Sequence, residues 1–415
     1  MTDSPRTGNP GTGAPPVPLP YRRDYPKRPF DPVPELLRLR EEPLLTRQLA
    51  PNGEPVWLVA RHAEARKVLA DRRFSTALTP RTLIRPKATG AAAIASPARQ
   101  PGSFLGYDPP EHTRLRRMVA SAFSARRMRL LEDRVAEIVA ERVEALAAAG
   151  PDTDLVTSFA LPIPSLVICE MIGVPEDERA DFQRRAHHAF DQTLEQSELI
   201  STFTPMWEYT ASLVARQRKD PDDTILGGLV REHGGELSDT ELTGITNLLL
   251  LAGHDTTASM LGLGALLLLR DPQAREVLLR DDPENTARIV EEMLRYFSVA
   301  QTGLVRTATE DVELGGRLVR AGEHVMLSLA TANRDPGVYP VPDRFDSHRE
   351  AEPHLAFGHG IHFCLGAPLA RTEMRTAFPA LLRRLPGLRL AIPFEDVPFR
   401  SFATVYGVTA LPVTW

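Results

Sequence analysis

Apolar and polar positions alternate over residues 44–69 around Asn52-Gly53, the dipeptide that most favours a tight hairpin, and a helical period then takes over through residues 63–70. A small sheet near the N-terminus is therefore expected. Residues 76–106 keep no period and contain several Pro and Gly, which predicts a long irregular loop of the kind that carries function. From residue 111 to about 269 apolar residues recur three and four apart, as in Leu130, Val135, Ile138, Val139 and Val143, so the bulk of the chain should be helix. Ser238 with Glu241 three residues later is a capping-box pattern and Asp271-Pro272 is a stop, which together predict one helix of roughly 30 residues, about 45 Å long.

A further helix should open with Asp282 as N-cap and Pro283 in its first turn, and it carries Glu292 and Arg295. Residues 312–327 return to short strand-like runs about the turn Gly315-Gly316, and residues 399–413 again read as strands. The expected fold class is mainly α with minor β (α+β): a single large helical domain over residues 21–415 with small antiparallel sheets. No Gly/Ser-rich or Pro-rich linker interrupts the pattern there. Residues 1–20, rich in Pro, Gly, Ser and Thr, are expected to form a disordered N-terminal tail.

Composition narrows the function classes. The chain has 415 residues, 42% hydrophobic and 25% charged, enough to bury a large core. A net charge of -5, with Arg spread along helices and not gathered in a basic run, argues against nucleic acid as a partner. The most apolar window, residues 242–269, holds His254, Asp255, Thr256 and Thr257 at its middle, where lipid would penalise them, so no membrane span is expected. Cys169 and Cys364 are the only cysteines, which implies no disulfide framework and a cytoplasmic setting. Cys169 lies in an apolar run and reads as a packed, inert thiol. Lysine occurs only at positions 27, 67, 87 and 219 while Arg is abundant, a bias expected of a GC-rich bacterial genome.

The chemistry concentrates in Phe357-Gly-His-Gly-Ile-His-Phe-Cys364-Leu-Gly366, a glycine-rich loop leading into a helical pattern. The free N–H groups and dipole of a helix N-terminus favour a thiolate, and glycines on both sides let a flat macrocycle approach the main chain. On these residues alone a tight turn before a helix, or zinc held by His359, His362 and Cys364, remains open, although a structural zinc site needs four ligands. Ala252-Gly253-His254-Asp255-Thr256-Thr257 places polar groups in a leucine-rich helix. Gly253 removes bulk there, and a neighbouring alcohol can open the backbone ladder into a notch for a small molecule. The alternative is a buried Thr bonding back to its own helix, with Asp255 paired to an Arg.

The cysteine loop resembles the ligand loop of the cytochrome P450 family, whose haem is held by a Cys thiolate, and further motifs extend the resemblance over residues 108–371. The resemblance implies haem b (iron protoporphyrin IX) with Cys364 as the iron's axial ligand and Gly366 beside it. It makes Asp255 and Thr256 the acid and alcohol of the oxygen-activating motif: Thr256 to hydrogen-bond dioxygen at the iron, Asp255 to relay protons through water. Glu292 and Arg295 match the Glu-x-x-Arg pair, with a structural role beneath the haem and Arg344 as partner. His112, Arg116, Arg306 and His362 match positions that hold the haem propionates, which need charge-assisted donors.

The activity implied is insertion of one oxygen atom from O2, by hydroxylation or epoxidation, into a hydrophobic small molecule of bacterial secondary metabolism. Pocket walls are expected from residues 76–106, 186–203, 248–251, 299–304 and 402–405. With no fused reductase segment, electrons are expected from a ferredoxin and its ferredoxin reductase, docking by way of Arg114, Arg117 and Arg371. A peroxide-driven peroxygenase, an oxidative coupling enzyme and a non-catalytic haem sensor are the other readings. The intact Asp255-Thr256 pair counts against the first, and an acid–alcohol relay would be superfluous in a sensor.

Overall fold

The structure, a computed structural model, describes residues 28–40, 45–50, 52–80, 83, 100–189, 196–280, 282–301, 304–350, 353–400 and 405–415. Residues 1–20 lie outside the described residues. A short helix α1 (Pro34–Leu39) precedes strands β1 (Leu45–Leu49) and β2 (Pro55–Val59), which form the expected antiparallel hairpin with Leu45 opposite Val59. Asn52 Oδ1 accepts from the Glu54 N–H at 3.0 Å, closing the turn. Helix α2 (His62–Ala70) and strand β3 (Phe74–Ser75) follow.

The helical body comprises α3 (Glu111–Ala120), α4 (Ala125–Ala149), α5 (Pro162–Ile172), α6 (Glu176–Ala189), α7 (Gln196–Lys219), α8 (Ile225–His233), α9 (Asp239–Arg270), α10 (Pro272–Leu279), α11 (Pro283–Phe297), the single turn α12 (Leu329–Ala332) and α13 (Ala367–Arg384). Strand β4 (Thr153–Asp154) lies between α4 and α5; β5 (Val305–Ala308), β6 (Val312–Leu314), β7 (Arg317–Val319) and β8 (His324–Leu327) fall between α11 and α12; β9 (Arg389–Leu390) and β10 (Pro412–Thr414) close the chain.

Helix α9 runs 32 residues, ~48 Å at 1.5 Å per residue. Its start is the expected capping box, Ser238 Oγ accepting from the Glu241 N–H while the Glu241 carboxylate accepts from the Ser238 N–H. Asp271 ends it and caps α10 with the same side chain, which accepts from Ala274 N. One apolar cluster spreads from Phe104 to Val413 and contains the buried leucines of α9, with α5, α7 and α13 packed around that helix.

The five-stranded sheet has the order β1-β2-β8-β5-β3. Here the expectation of purely antiparallel sheets needs correction: β2 and β8 pair in parallel, with Trp57 opposite Val325. They are joined through nearly the whole helical body, so their relative direction is set by where that long crossover returns, which no local turn signal encodes. The strands expected over residues 399–413 reduce to β10 and two isolated bridges, Phe399 with Val408 and Ala300 with Val405. The hairpin at Gly315-Gly316 forms as expected, both glycines having positive φ.

Candidate functional site

Between Leu242 and Leu268, α9 is buried except at Leu248, Leu251, Ala252, Gly253 and Thr256. Leu248, Ala252 and Thr256 are successive fourth residues, so the accessible surface is one stripe in the middle of a helix that is otherwise inside the protein. Such one-sided access at mid-helix marks an internal concavity.

The expected interruption of the ladder does not occur. Helix α9 is continuous, and Thr256 Oγ1 donates to the carbonyl of Ala252 at 2.9 Å, one turn back. Gly253 looks towards α5, where a Cβ would meet Ile168 in ordinary contact at 3.4 Å. Asp255 is 2% exposed; its Oδ1 accepts from Arg400 Nη1 at 2.6 Å, while Oδ2 has no hydrogen-bond partner among the described residues. Both bonds of the structural alternative are thus present. Even so, Thr256 stays on the accessible stripe and one oxygen of Asp255 is left over.

The Cys364 loop is built on backbone geometry that favours glycine, with positive φ at Gly358 and Gly360. Gly360 has φ +71°, and a Cβ there would sit 2.3 Å from the carbonyl of Leu69, so only glycine fits against α2. Gly366 is the N-cap of α13, and a Cβ on it would meet nothing within 4 Å. Cys364 donates its N–H to Phe357 O at 2.9 Å. Its side chain is solvent-accessible, yet protein surrounds it closely enough for burial to raise the thiol, against the N–H groups of Gly366 and Ala367 and the charges of Arg116 and Arg371. A residue that is both reachable and enclosed lines a cleft. Cys169, in contrast, is fully buried in α5, and burial pushes it up to about 12.

Next to this loop, four nitrogen-bearing side chains converge. The rings of His112 (α3) and His362 lie 4.2 Å apart, Arg116 donates to the carbonyl of Phe363, and Arg306 (β5) is 5% exposed. Burial, then His112 and Arg306, push His362 down to about 3; burial pushes Arg306 down to about 10 and lowers His112 and Arg116. Among the described residues neither ring nitrogen of His112 has a hydrogen-bond partner, and Arg306 donates only to its neighbour's carbonyl, Val305 O. Asp108 is the acid that acts on this cluster, and its carboxylate already accepts from Ser75 and from Thr76 N at 2.9 Å. Two enclosed guanidiniums beside two imidazoles that burial keeps from protonating, with the one nearby acid already engaged, are costly unless an anionic group completes them. A group with two carboxylates beside the open face at Gly366 fits this donor set, as haem does. Among the described residues no three His, Cys, Asp or Glu side chains come together as metal ligands, so His359, His362 and Cys364 do not form the zinc site that their spacing left open.

Glu292 and Arg295 form a fully buried ion pair (Nε–Oε2 2.7 Å, Nη2–Oε1 2.8 Å). The third member is Arg349, not Arg344. Arg349 Nε donates to Glu292 Oε1 at 3.1 Å, whereas the Arg344 side chain is 68% exposed and pairs with Asp346. The loop after Pro340 turns so that the carbonyls of Pro342 and Arg344 face Arg295, and that turn sends the Arg344 side chain outward. Asn333 and Arg334 also anchor here: Asn333 Oδ1 accepts from Leu355 N at 2.7 Å, and Arg334, 0% exposed, pairs with Asp31.

Two of the three arginines expected to dock a partner are already engaged. Arg114 pairs with Glu111 and Glu241, and Arg371 pairs with Glu291; Arg117 is exposed. Of the expected pocket walls, residues 81–82, 84–99, 190–195, 302–303 and 402–404 lie outside the described residues, while Leu248 and Leu251 line the stripe. Neither Arg400 nor Arg349 belongs to a recognisable motif, and their partners lie 145 and 57 residues away in sequence.

A family model described as Cytochrome P450 matches residues 284–393, which span α11, the Glu292–Arg295 pair and the Cys364 loop. Cytochrome P450-SU2 of Streptomyces griseolus is 41% identical over 415 residues, covering 100% of both chains. Pentalenic acid synthase of Streptomyces avermitilis is 41% identical over 409 residues, 98% of this chain and 99% of that one. The crystal structure of CYP105P1 in complex with filipin I superposes with a TM-score of 0.89 at 38% identity, over 96% of this chain and 99% of that chain. Full-length agreement in sequence and fold, around a cysteine loop and a cluster of basic side chains that suit haem, shows that the chain belongs to the cytochrome P450 family of haem-dependent monooxygenases.

Proposed function

We propose that the enzyme inserts one oxygen atom into a hydrophobic small molecule of bacterial secondary metabolism. The convergence of His112, Arg116, Arg306 and His362 beside Cys364 is the observation that carries the reading of the site. The haem iron, when bound, supplies the activation of O2 and the transfer of one of its atoms, drawing on two electrons from a redox partner.

The chain's own residues do the rest. Cys364 Sγ would hold the iron as a thiolate. The side chains of His112, Arg116, Arg306 and His362 would hold the propionates, whose negative charges would complete the cluster. Gly366, where a Cβ would meet nothing within 4 Å, would leave room for the macrocycle. Thr256 presents its hydroxyl on the accessible stripe of α9, and Asp255 Oδ2, with no partner among the described residues, hands on protons while Arg400 fixes Oδ1.

Leu248, Leu251 and Ala252 make the stripe apolar, which suits a hydrophobic substrate; pentalenic acid synthase and nocardicin C N-oxygenase, both among the relatives, act in natural-product chemistry by their names. We further propose a cytoplasmic location with a ferredoxin and ferredoxin reductase as electron donors. Two free cysteines support the first, and no helix among the described residues is long and apolar enough to cross a membrane.

The reduced, carbon-monoxide-bound absorption spectrum tests the core of this proposal: a red-shifted Soret band is expected, and protein without haem would overturn it. With a substrate found by its spin-state shift, Thr256→Ala should divert most NAD(P)H consumption from product to peroxide. Unchanged coupling would remove Thr256 from the relay.

A further inference from the structure

Glu291, the neighbour of the buried Glu292, takes no part in the Glu292–Arg295 pair. On α11 it lies about 100° round the helix from Glu292 and meets His354, at the entry of the cysteine loop, and α13. Its carboxylate accepts two hydrogen bonds from Arg371 (Nε 2.7 Å, Nη2 2.8 Å), one from His354 Nε2 at 3.1 Å, and stands 3.5 Å from Arg375. His354 Nδ1 accepts from Ala356 N at 3.2 Å, so its proton sits on Nε2, aimed at Glu291. The Arg371 guanidinium lies over the Phe357 ring, 4.6 Å from its centroid. The carbonyl of Phe357 in turn receives the Cys364 N–H.

We propose that Glu291 is a positioning residue for the thiolate: it ties the entry of the cysteine loop, from His354 to Phe357, to α11 and α13, and its charge limits how much of Arg371's positive field reaches Cys364. This rests on the reading of Cys364 as the iron ligand. Two observations support the electrostatic half. The Arg371 guanidinium is held over Phe357, whose carbonyl receives the Cys364 N–H, so its charge is carried against the cysteine loop. Burial would raise Glu291, yet the bonds from Arg371 and His354 outweigh it and hold the carboxyl at about 2, so it is a fixed negative charge.

The sign of each effect follows. Removing Glu291's charge leaves Arg371 uncompensated, and a cation near the iron favours the reduced state. Removing Arg371's charge does the reverse.

The test is the midpoint potential of the haem, measured by spectroelectrochemistry on the holoprotein as wild type, Glu291→Gln, Arg371→Gln and the double variant. Glu291→Gln should raise the potential by an amount equivalent to about tenfold in the reduction equilibrium, ~59 mV for one electron. Arg371→Gln should lower it by a similar factor, and the double variant should return to within about threefold of wild type. The carbon-monoxide spectrum followed over time gives the second readout: Glu291→Gln should convert to the non-thiolate form several times faster, through loss of the His354 and Arg371 ties. A loosening of the fold alone would move both single variants the same way, and that result overturns the proposal, as does an unchanged potential in Glu291→Gln. A wild-type spectrum without the thiolate signature overturns instead the assignment of Cys364, and with it this proposal. If Glu291→Gln does not accumulate, the lowered potential of Arg371→Gln decides.

Discussion

Replacing Glu373 by Gln removes a proton that the folded chain should hold far more tightly than the unfolded one. Glu373 lies on α13, nine residues past Cys364, is 2% exposed, and its Oε2 has no hydrogen-bond partner among the described residues. Burial, with no compensating cation, pushes its carboxyl from 4.5 up to about 8. A raised carboxyl favours the folded state in acid: the contribution is complete below 4.5 and is lost as pH rises through 8. At 1.36 kcal/mol per tenfold change in proton affinity, the loss between pH 6 and 9 is ~2.6 kcal/mol. An unfolding entropy of ~2.1 cal/mol/K per residue, or ~0.9 kcal/mol/K for this chain, makes that about 3 °C in Tm. Gln keeps the shape but has nothing to titrate. Melting of the holoprotein should therefore show the Tm difference between Glu373→Gln and wild type widening by about 3 °C in the variant's favour from pH 6 to 9. A difference that stays the same at both pH values would refute the reasoning, because it would mean that Glu373 titrates alike in the folded and unfolded chains.

Arg349→Ala, by uncovering one side of the buried Glu292 carboxylate, should cost about 2–4 kcal/mol in denaturant unfolding, whereas Arg344→Ala should change stability by less than ~0.5 kcal/mol; equal losses would restore Arg344 to the pair. Gly360→Ala forces a left-handed residue against Leu69 O and should cost at least ~2 kcal/mol along with most of the haem, read as the Soret-to-protein absorbance ratio. Gly366→Ala meets no protein atom, so it should leave the apoprotein's stability unchanged and lower only the haem content.

Short-range instructions in the chain were the readable ones. Ser238 with Glu241, Asp282 with Pro283, and Asn52-Gly53 each act within four residues, and each element starts or turns where those residues say. The family motifs also marked the right neighbourhoods: His112, Arg116, Arg306 and His362 come from three distant segments and meet beside Cys364. Partner choice within a neighbourhood was not readable. Arg344 and Arg349 are both basic and five residues apart, and only the direction of the turn after Pro340 decides which one reaches Glu292. Arg400 sits in an unremarkable segment, and its bond to Asp255 depends on how the C-terminal bridges of Phe399 with Val408 and Ala300 with Val405 lie against α9. The parallel β2–β8 pairing was missed for the same reason, since hydrophobic alternation says that a strand exists and nothing of its neighbour's direction.

That parallel pairing also bears on the order of events at the ribosome. β2 is among the first segments to emerge, yet its partner β8 follows only after most of the helices, and the Arg116–Phe363 contact joins residues 247 apart. At ~5–20 residues per second, β2 waits tens of seconds for its neighbour, leaving one side of its hairpin without a partner edge. The basic side chains on α3 wait as long for the cysteine loop. Cofactor capture is consequently a late event in biogenesis: the strand that carries Arg306 and the loop that carries Cys364 both follow most of the helices, so the nascent chain cannot complete the site until they have been made.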